Sequence, residues 1–119
     1  MNRARLLAIG WTLGILLACS IPGNDIPKID FDLLRPDKIV HFSLFLGFGW
    51  LWLSATPRTY RFRFPIVIGL GVLYAIGTEI YQGLLPWDRT PDVFDALANI
   101  LGLSTAAGLF RWQERRQAA

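Results

Sequence analysis

Apolar residues fall along the chain in four long blocks, about 4–21, 39–55, 64–85 and 93–112, separated by short clusters of charge, glycine and proline. Inside each block the apolar positions are nearly continuous. They show neither the helical spacing of a segment packed on a soluble core nor the alternation of a half-buried strand. A helix rises about 1.5 Å per residue, so roughly 17 to 25 residues cross a hydrocarbon layer about 30 Å thick, and each block predicts a membrane-spanning helix. The first two are at the short end and leave little room for tilt. Pro22, Gly23, Pro36, Pro57, Pro65, Pro86 and Pro91 lie at or beside block ends, where a missing amide hydrogen interrupts no internal ladder. The expected fold is an all-α membrane protein, a single domain over residues 1–119 with four transmembrane helices in a compact bundle.

Composition strengthens this reading, since 53% of the side chains are hydrophobic and only 18% are charged, against about a quarter charged in soluble domains. The basic residues then set an orientation. Arg3, Arg5, Arg58, Arg61, Arg63, Arg111, Arg115 and Arg116 would share one face, and short loops rich in Arg and Lys stay on the cytoplasmic side. Lys28, Arg35, Lys38 and Arg89 fall on the other face, offset by Asp25, Asp30, Asp32, Asp37, Asp88 and Asp92. Both termini are therefore expected in the cytoplasm, with the chain a multi-pass protein of the inner, cytoplasmic membrane. The formal charge of +3 is spread over block ends without an aromatic-interleaved basic stripe, so no nucleic acid partner is expected.

The start of the chain has a rival reading, because Arg3 and Arg5 ahead of an apolar run ending Leu16-Leu17-Ala18-Cys19 look something like a lipoprotein signal. Leu17 is bulky where a small residue is usual, and the run continues through Ile21. Gly10 and Gly14 form a G-x-x-x-G pair suited to close helix contact. Ala98, Gly102 and Ala106, four apart, offer a second close-packing surface within the chain or between subunits, which leaves a homo-oligomer open. Cys19 is the one cysteine and cannot form a disulfide within the chain.

Polar residues interrupt the blocks at one depth. Counting from the outer boundary, His41 lies roughly 5 Å inside, Gln82 about 6 Å, Glu79 about 10 Å, Asp95 about 5 Å and Asn99 about 10 Å. Residues three and four apart share a helix side. Asp37 with His41, Glu79 with Gln82, and Asp92 with Asp95 and Asn99 all obey that spacing. A charged group at the bilayer centre costs at least roughly 2.5 to 3.5 kcal/mol, so such stripes point into the bundle and predict a polar pocket opening outward. The alternative is a set of internal ties, with Glu79 paired to Lys38 or Arg89 and Asp95 to His41, that fix helix register without a ligand.

At these residues the chain resembles the VanZ-like family, small integral membrane proteins named after a teicoplanin-resistance protein. The resemblance lies in Asp37, Lys38, His41, Phe42 and Phe45 at the head of one helix, and in Glu79, Gln82, Pro86, Arg89, Asp95, Asn99 and Gly102 further on. It covers about residues 37–108. Asp88 stands where the family pattern has a small residue. The resemblance implies a role in cell-envelope biology and, in the founding case, glycopeptide resistance; it implies no reaction.

The leading functional expectation is binding or handling of an envelope lipid or lipid-linked precursor. Lys38 and Arg89 would meet a phosphate or carboxylate, Arg89 through a bidentate fork. Asp37, His41, Glu79, Gln82, Asp92, Asp95 and Asn99 would take polar groups around it. The alternative is an intramembrane hydrolase or transferase with His41 as general acid or base and Glu79 or Asp95 orienting it. A nucleophile is less apparent, since Ser43 should face about 200° away from His41 on an ideal helix and Thr78 and Thr90 have no motif around them. A metal-assisted variant would draw on His41, Glu79 and Asp95, but the single histidine gives no paired motif, and neither metal nor cofactor is expected. A proton-coupled transporter is disfavoured because the inner halves of the third and fourth blocks carry no continuing ionisable chain. The 22–36 loop, with Asp25, Asp30 and Asp32, reads as a solvated linker or a lid.

Overall fold

A computed structural model describes residues 2–20, 36–84 and 93–118. The described residues fold as four helices, α1 (Arg3–Cys19), α2 (Pro36–Ala55), α3 (Arg63–Leu84) and α4 (Val93–Ala118), with no strand among them. The 22–36 loop, Arg89, Asp92 and the pairings expected of them lie essentially outside the described residues, as does the side chain of Asp37.

Local chemistry sets the ends. Asn2 caps α1 by accepting from the backbone N–H of Arg5 at 2.8 Å, and the Ser20 N–H closes the other end on the Leu17 carbonyl at 3.1 Å. Pro36 opens α2, a position where its fixed φ suits the helix and its missing N–H interrupts nothing. After Ala55 both the amide and the hydroxyl of Thr56 bond the Trp52 carbonyl, and Pro57 follows in the turn towards α3.

The helices α2, α3 and α4 are long and apolar enough to cross a membrane. α1, at 17 residues or about 25 Å, is shorter than the usual hydrocarbon thickness. Leu17, Leu73, Leu84 and Val93 are 71%, 67%, 80% and 72% exposed, large apolar side chains turned outward as lipid requires.

Two ends differ from the sequence expectation by three residues or more. α2 begins three residues earlier than 39, and α4 continues six residues beyond 112. The extension is held by tertiary bonds. Arg63 pairs with Glu114, Arg58 Nε lies 3.6 Å from the same carboxylate, and Arg58 Nη2 donates to Gln117 at 2.8 Å. Those contacts bring the α2–α3 turn and the end of α4 to one end of the bundle.

α2 is central and packs on α1, α3 and α4. Its core is aromatic, with Phe45, Phe48 and Tyr74 in mutual tilted contact and Ile15, Ala75 and Leu103 closing around them. α1 is tied by polar bonds that converge on Thr12, whose hydroxyl accepts from Trp52 Nε1 at 2.9 Å and whose carbonyl accepts from the Tyr74 hydroxyl at 2.6 Å. Trp11 Nε1 donates to the Leu44 carbonyl at 2.7 Å, and the Ser20 and Tyr81 hydroxyls meet at 2.8 Å.

The closest helix approach is between α2 and α4. A Cβ on Gly102 would run into the carbonyl of Phe42 and lie 3.1 Å from the Leu46 amide, and a Cβ on Gly49 would lie 3.0 Å from that of Ala106. The small-residue spacing of α4 is thus used inside the chain. Gly10 and Gly14 behave otherwise, because nothing lies within 4 Å of a Cβ at either position and both face outward. The G-x-x-x-G pair makes no close helix contact among the described residues, because α1 presents Ala8, Ile15 and Cys19 to the bundle instead.

Candidate functional site: a buried polar cluster between α2, α3 and α4

Each of the three helices presents one buried stripe that turns polar at the same end. On α2 it runs from Phe48 and Phe45 to His41; on α3 from Val67, Gly71 and Ala75 to Thr78, Glu79 and Gln82; on α4 from Ala106 and Leu103 to Asn99 and Asp95. Gly71 faces both other helices, since a Cβ there would come within 3.1 Å of Phe48 and 2.6 Å of Leu103. From that junction His41 is seven residues back along α2, Glu79 eight residues on along α3, and Asp95 eight residues back along α4. At about 1.5 Å per residue all three stand roughly 10 to 12 Å from the junction, hence at one level.

The contacts join α2 to α4. Lys38 Nζ donates to Asp95 Oδ1 at 2.5 Å, with the two side chains 11% and 2% exposed. The other oxygen of Asp95 lies 3.6 Å from His41 Nε2, and His41 Nδ1 is 2.9 Å from Asn99 Oδ1. Lysine, carboxylate, imidazole and amide form one chain. With Nδ1–H donating to Asn99, a second proton on Nε2 would be needed to face Asp95. Turning the carboxamide over lets Asn99 Nδ2 donate to Nδ1, and a neutral ring then keeps its proton towards Asp95. Asn99 can therefore serve either protonation state of His41.

α3 contributes Glu79 and Gln82, 7% and 2% exposed, and Gln82 Nε2 donates to the Cys19 carbonyl of α1 at 3.3 Å. Gln82 Oε1 and Asn99 Nδ2 are buried without a hydrogen-bond partner among the described residues, leaving one acceptor and one donor uncommitted. Of the residues expected at the site, Lys38, His41, Asp95 and Asn99 are brought into direct contact, and Glu79 and Gln82 are buried on the facing helix. Ser43 is exposed on the other side of α2, and the buried Thr78 hydroxyl is held by the Ala75 carbonyl at 3.0 Å.

A family model described as VanZ/LLP1 matches residues 6–114, nearly the whole chain. The chain belongs to the VanZ/LLP1 family. A Schizosaccharomyces pombe protein described as uncharacterized is 33% identical over 103 residues, covering 85% of this chain and 55% of that protein. The VanZ/LLP1 chain thus spans about half the length of that curated relative. No solved structure matches. The matched residues include all four contact-making members of the cluster, α2, α3 and most of α4, and the three helices long and apolar enough to cross a membrane give the VanZ/LLP1 chain the character of a membrane protein.

A second charged cluster sits at the opposite end and was missed by spacing arguments. Arg63 is only 7% exposed, pairs with Glu114, and lies over the rings of Phe64 and Phe110 at 5.0 and 5.6 Å. Its one sequence signal is an arginine at the very start of an apolar block. That reads equally as a solvated helix end.

Proposed function

We propose that this VanZ/LLP1 chain holds the phosphorylated headgroup of a cell-envelope lipid or lipid-linked precursor at the Lys38 end of the bundle, within the cytoplasmic membrane. The observation that supports the reading is the gathering of a largely buried lysine with a buried histidine, two carboxylates and two amides at one end of a lipid-exposed bundle. Ionisable groups at such depth are costly and are generally kept for function. Lys38, three residues outward of His41 on α2, would meet the phosphate together with Arg89, and Asp37 would stand beside it in sequence. Gln82 Oε1 and Asn99 Nδ2 would take a hydroxyl or carbonyl of the same ligand, with Glu79 beside them and Asp92 at the rim. A contribution to glycopeptide resistance, which family resemblance raises, would act through such a precursor.

Binding accounts for the geometry better than turnover does. Both ring nitrogens of His41 are engaged, one by Asn99 and the other facing Asp95, so His41 would act as a positioning group and a general-base role would require one partner to leave. The test is thermal unfolding in mild detergent with a polyprenyl phosphate and with the corresponding alcohol. The phosphate alone should raise the midpoint, and Arg89→Ala and Glu79→Gln should lose that rise while remaining folded. Equal effects of phosphate and alcohol, or an unchanged rise in the variants, would reject the reading.

A further inference from the structure

The end of the bundle remote from Asp95 carries an unusual set of arginines. Arg61 Cζ lies 5.4 Å from the ring of Phe62, Arg111 Cζ 5.8 Å from that of Phe64, and Arg116 Cζ 4.9 Å from that of Trp112. All three arginines are exposed and have no carboxylate partner among the described residues, because Glu114 is committed to Arg63 and Arg58. A guanidinium lying over a ring keeps its edge N–H groups directed outward, and stacking reduces the side-chain freedom that phosphate binding must otherwise remove. We propose that these three ring-mounted arginines form a binding site for the headgroup phosphates of anionic lipids, separate from the polar cluster and independent of its function.

Depth decides between lipid and free phosphate as the source. α4 has 26 residues, about 39 Å, which exceeds a hydrocarbon layer of about 30 Å and carries its last turns into the headgroup zone. Phe62 and Trp112 are 53% and 57% exposed beside their arginines. An aromatic ring that stays uncovered next to a cation is favoured where acyl chain and phosphate adjoin. Soluble phosphate offers nothing to the rings. The part-buried Arg63–Glu114 pair and the Arg58–Gln117 bond hold the final α4 turns against the α2–α3 turn, so Arg111 and Arg116 are presented on a held surface.

The experiment compares the full chain in nanodiscs of phosphatidylcholine with nanodiscs containing phosphatidylglycerol, reading the unfolding midpoint and the ratio of the two lipids retained on extraction. Wild type should be stabilised by phosphatidylglycerol and enriched in it. The triple variant Arg61→Gln, Arg111→Gln, Arg116→Gln should lose the stabilisation, with the enrichment falling about five-fold or more. Arg3→Gln with Arg5→Gln removes charge from the same end without touching a ring pair and should leave most of the enrichment. Inorganic phosphate added to phosphatidylcholine discs should do nothing. No preference in wild type, retained enrichment in the triple variant, equal loss in the Arg3/Arg5 variant, or stabilisation by inorganic phosphate would each overturn the proposal.

Discussion

The Lys38–Asp95 pair sets the energetics of the site at the residue scale. With side chains 11% and 2% exposed, either charge alone would be left largely desolvated. Asp95→Leu by itself should cost about 3–5 kcal/mol, and adding Lys38→Met should restore most of it, because a buried pair exchanged for apolar residues of similar volume is often neutral. Denaturant titration in a mild detergent measures both, and a double variant as unstable as the single one would contradict the pairing. Asn99→Ala should cost about 1–3 kcal/mol by leaving a His41 nitrogen without its partner. The residue types were legible from sequence, since a membrane helix carries such groups at three- and four-residue spacing for few reasons. The approach of Asp95 to His41 was legible too, as a register tie, but the Lys38–Asp95 and His41–Asn99 contacts were not. Lys38 reads equally well as a headgroup ligand, and only the α2–α4 geometry brings Asp95 to its ammonium.

Close approach of α2 and α4 places His41 and Asn99 within hydrogen-bond reach, and Gly102 makes that approach feasible. A side chain there meets backbone, at Phe42 and Leu46, so neither helix can yield by a rotamer change. Gly102→Val should destabilise the fold by about 2 kcal/mol or more and disrupt the His41–Asn99 bond, whereas Gly108→Ala, with nothing within 4 Å, should change stability by less than about 1 kcal/mol. Equal effects of the two would contradict the packing. Helix number and most helix ends followed from block length and proline position. The end of α4 did not, because Gln113, Glu114, Arg115 and Arg116 look like departure from the membrane while being good helix formers that α3 and the α2–α3 turn hold in place. Spacing found both small-residue motifs but could not say which has a neighbour. Facing is a tertiary property, and Gly10 and Gly14 look away from the bundle.

Charge is segregated across the whole molecule. The end formed by the α2–α3 turn and the close of α4 carries Arg58, Arg61, Arg63, Arg111, Arg115 and Arg116 with Glu114 as the acid among them, and α1 starts from the same end with Arg3 and Arg5. By the positive-inside tendency that end should face the cytoplasm, so reporters fused to either terminus should be active only in the cytoplasmic form. A reporter active only outside would reverse the assignment and move the polar cluster to the inner leaflet. Under this arrangement the cluster would lie in the outer leaflet.

The proposed function requires the buried cluster to hold a phosphorylated lipid and not merely to tie helices together. Native mass spectrometry of protein extracted in mild detergent tests this directly when wild type is compared with the Lys38→Met, Asp95→Leu double variant, whose charge balance is kept. Wild type should carry a phosphate-containing lipid that the folded double variant lacks. The same lipid retained in equal amount by both would show that the Lys38–Asp95 pair holds no phosphorylated ligand.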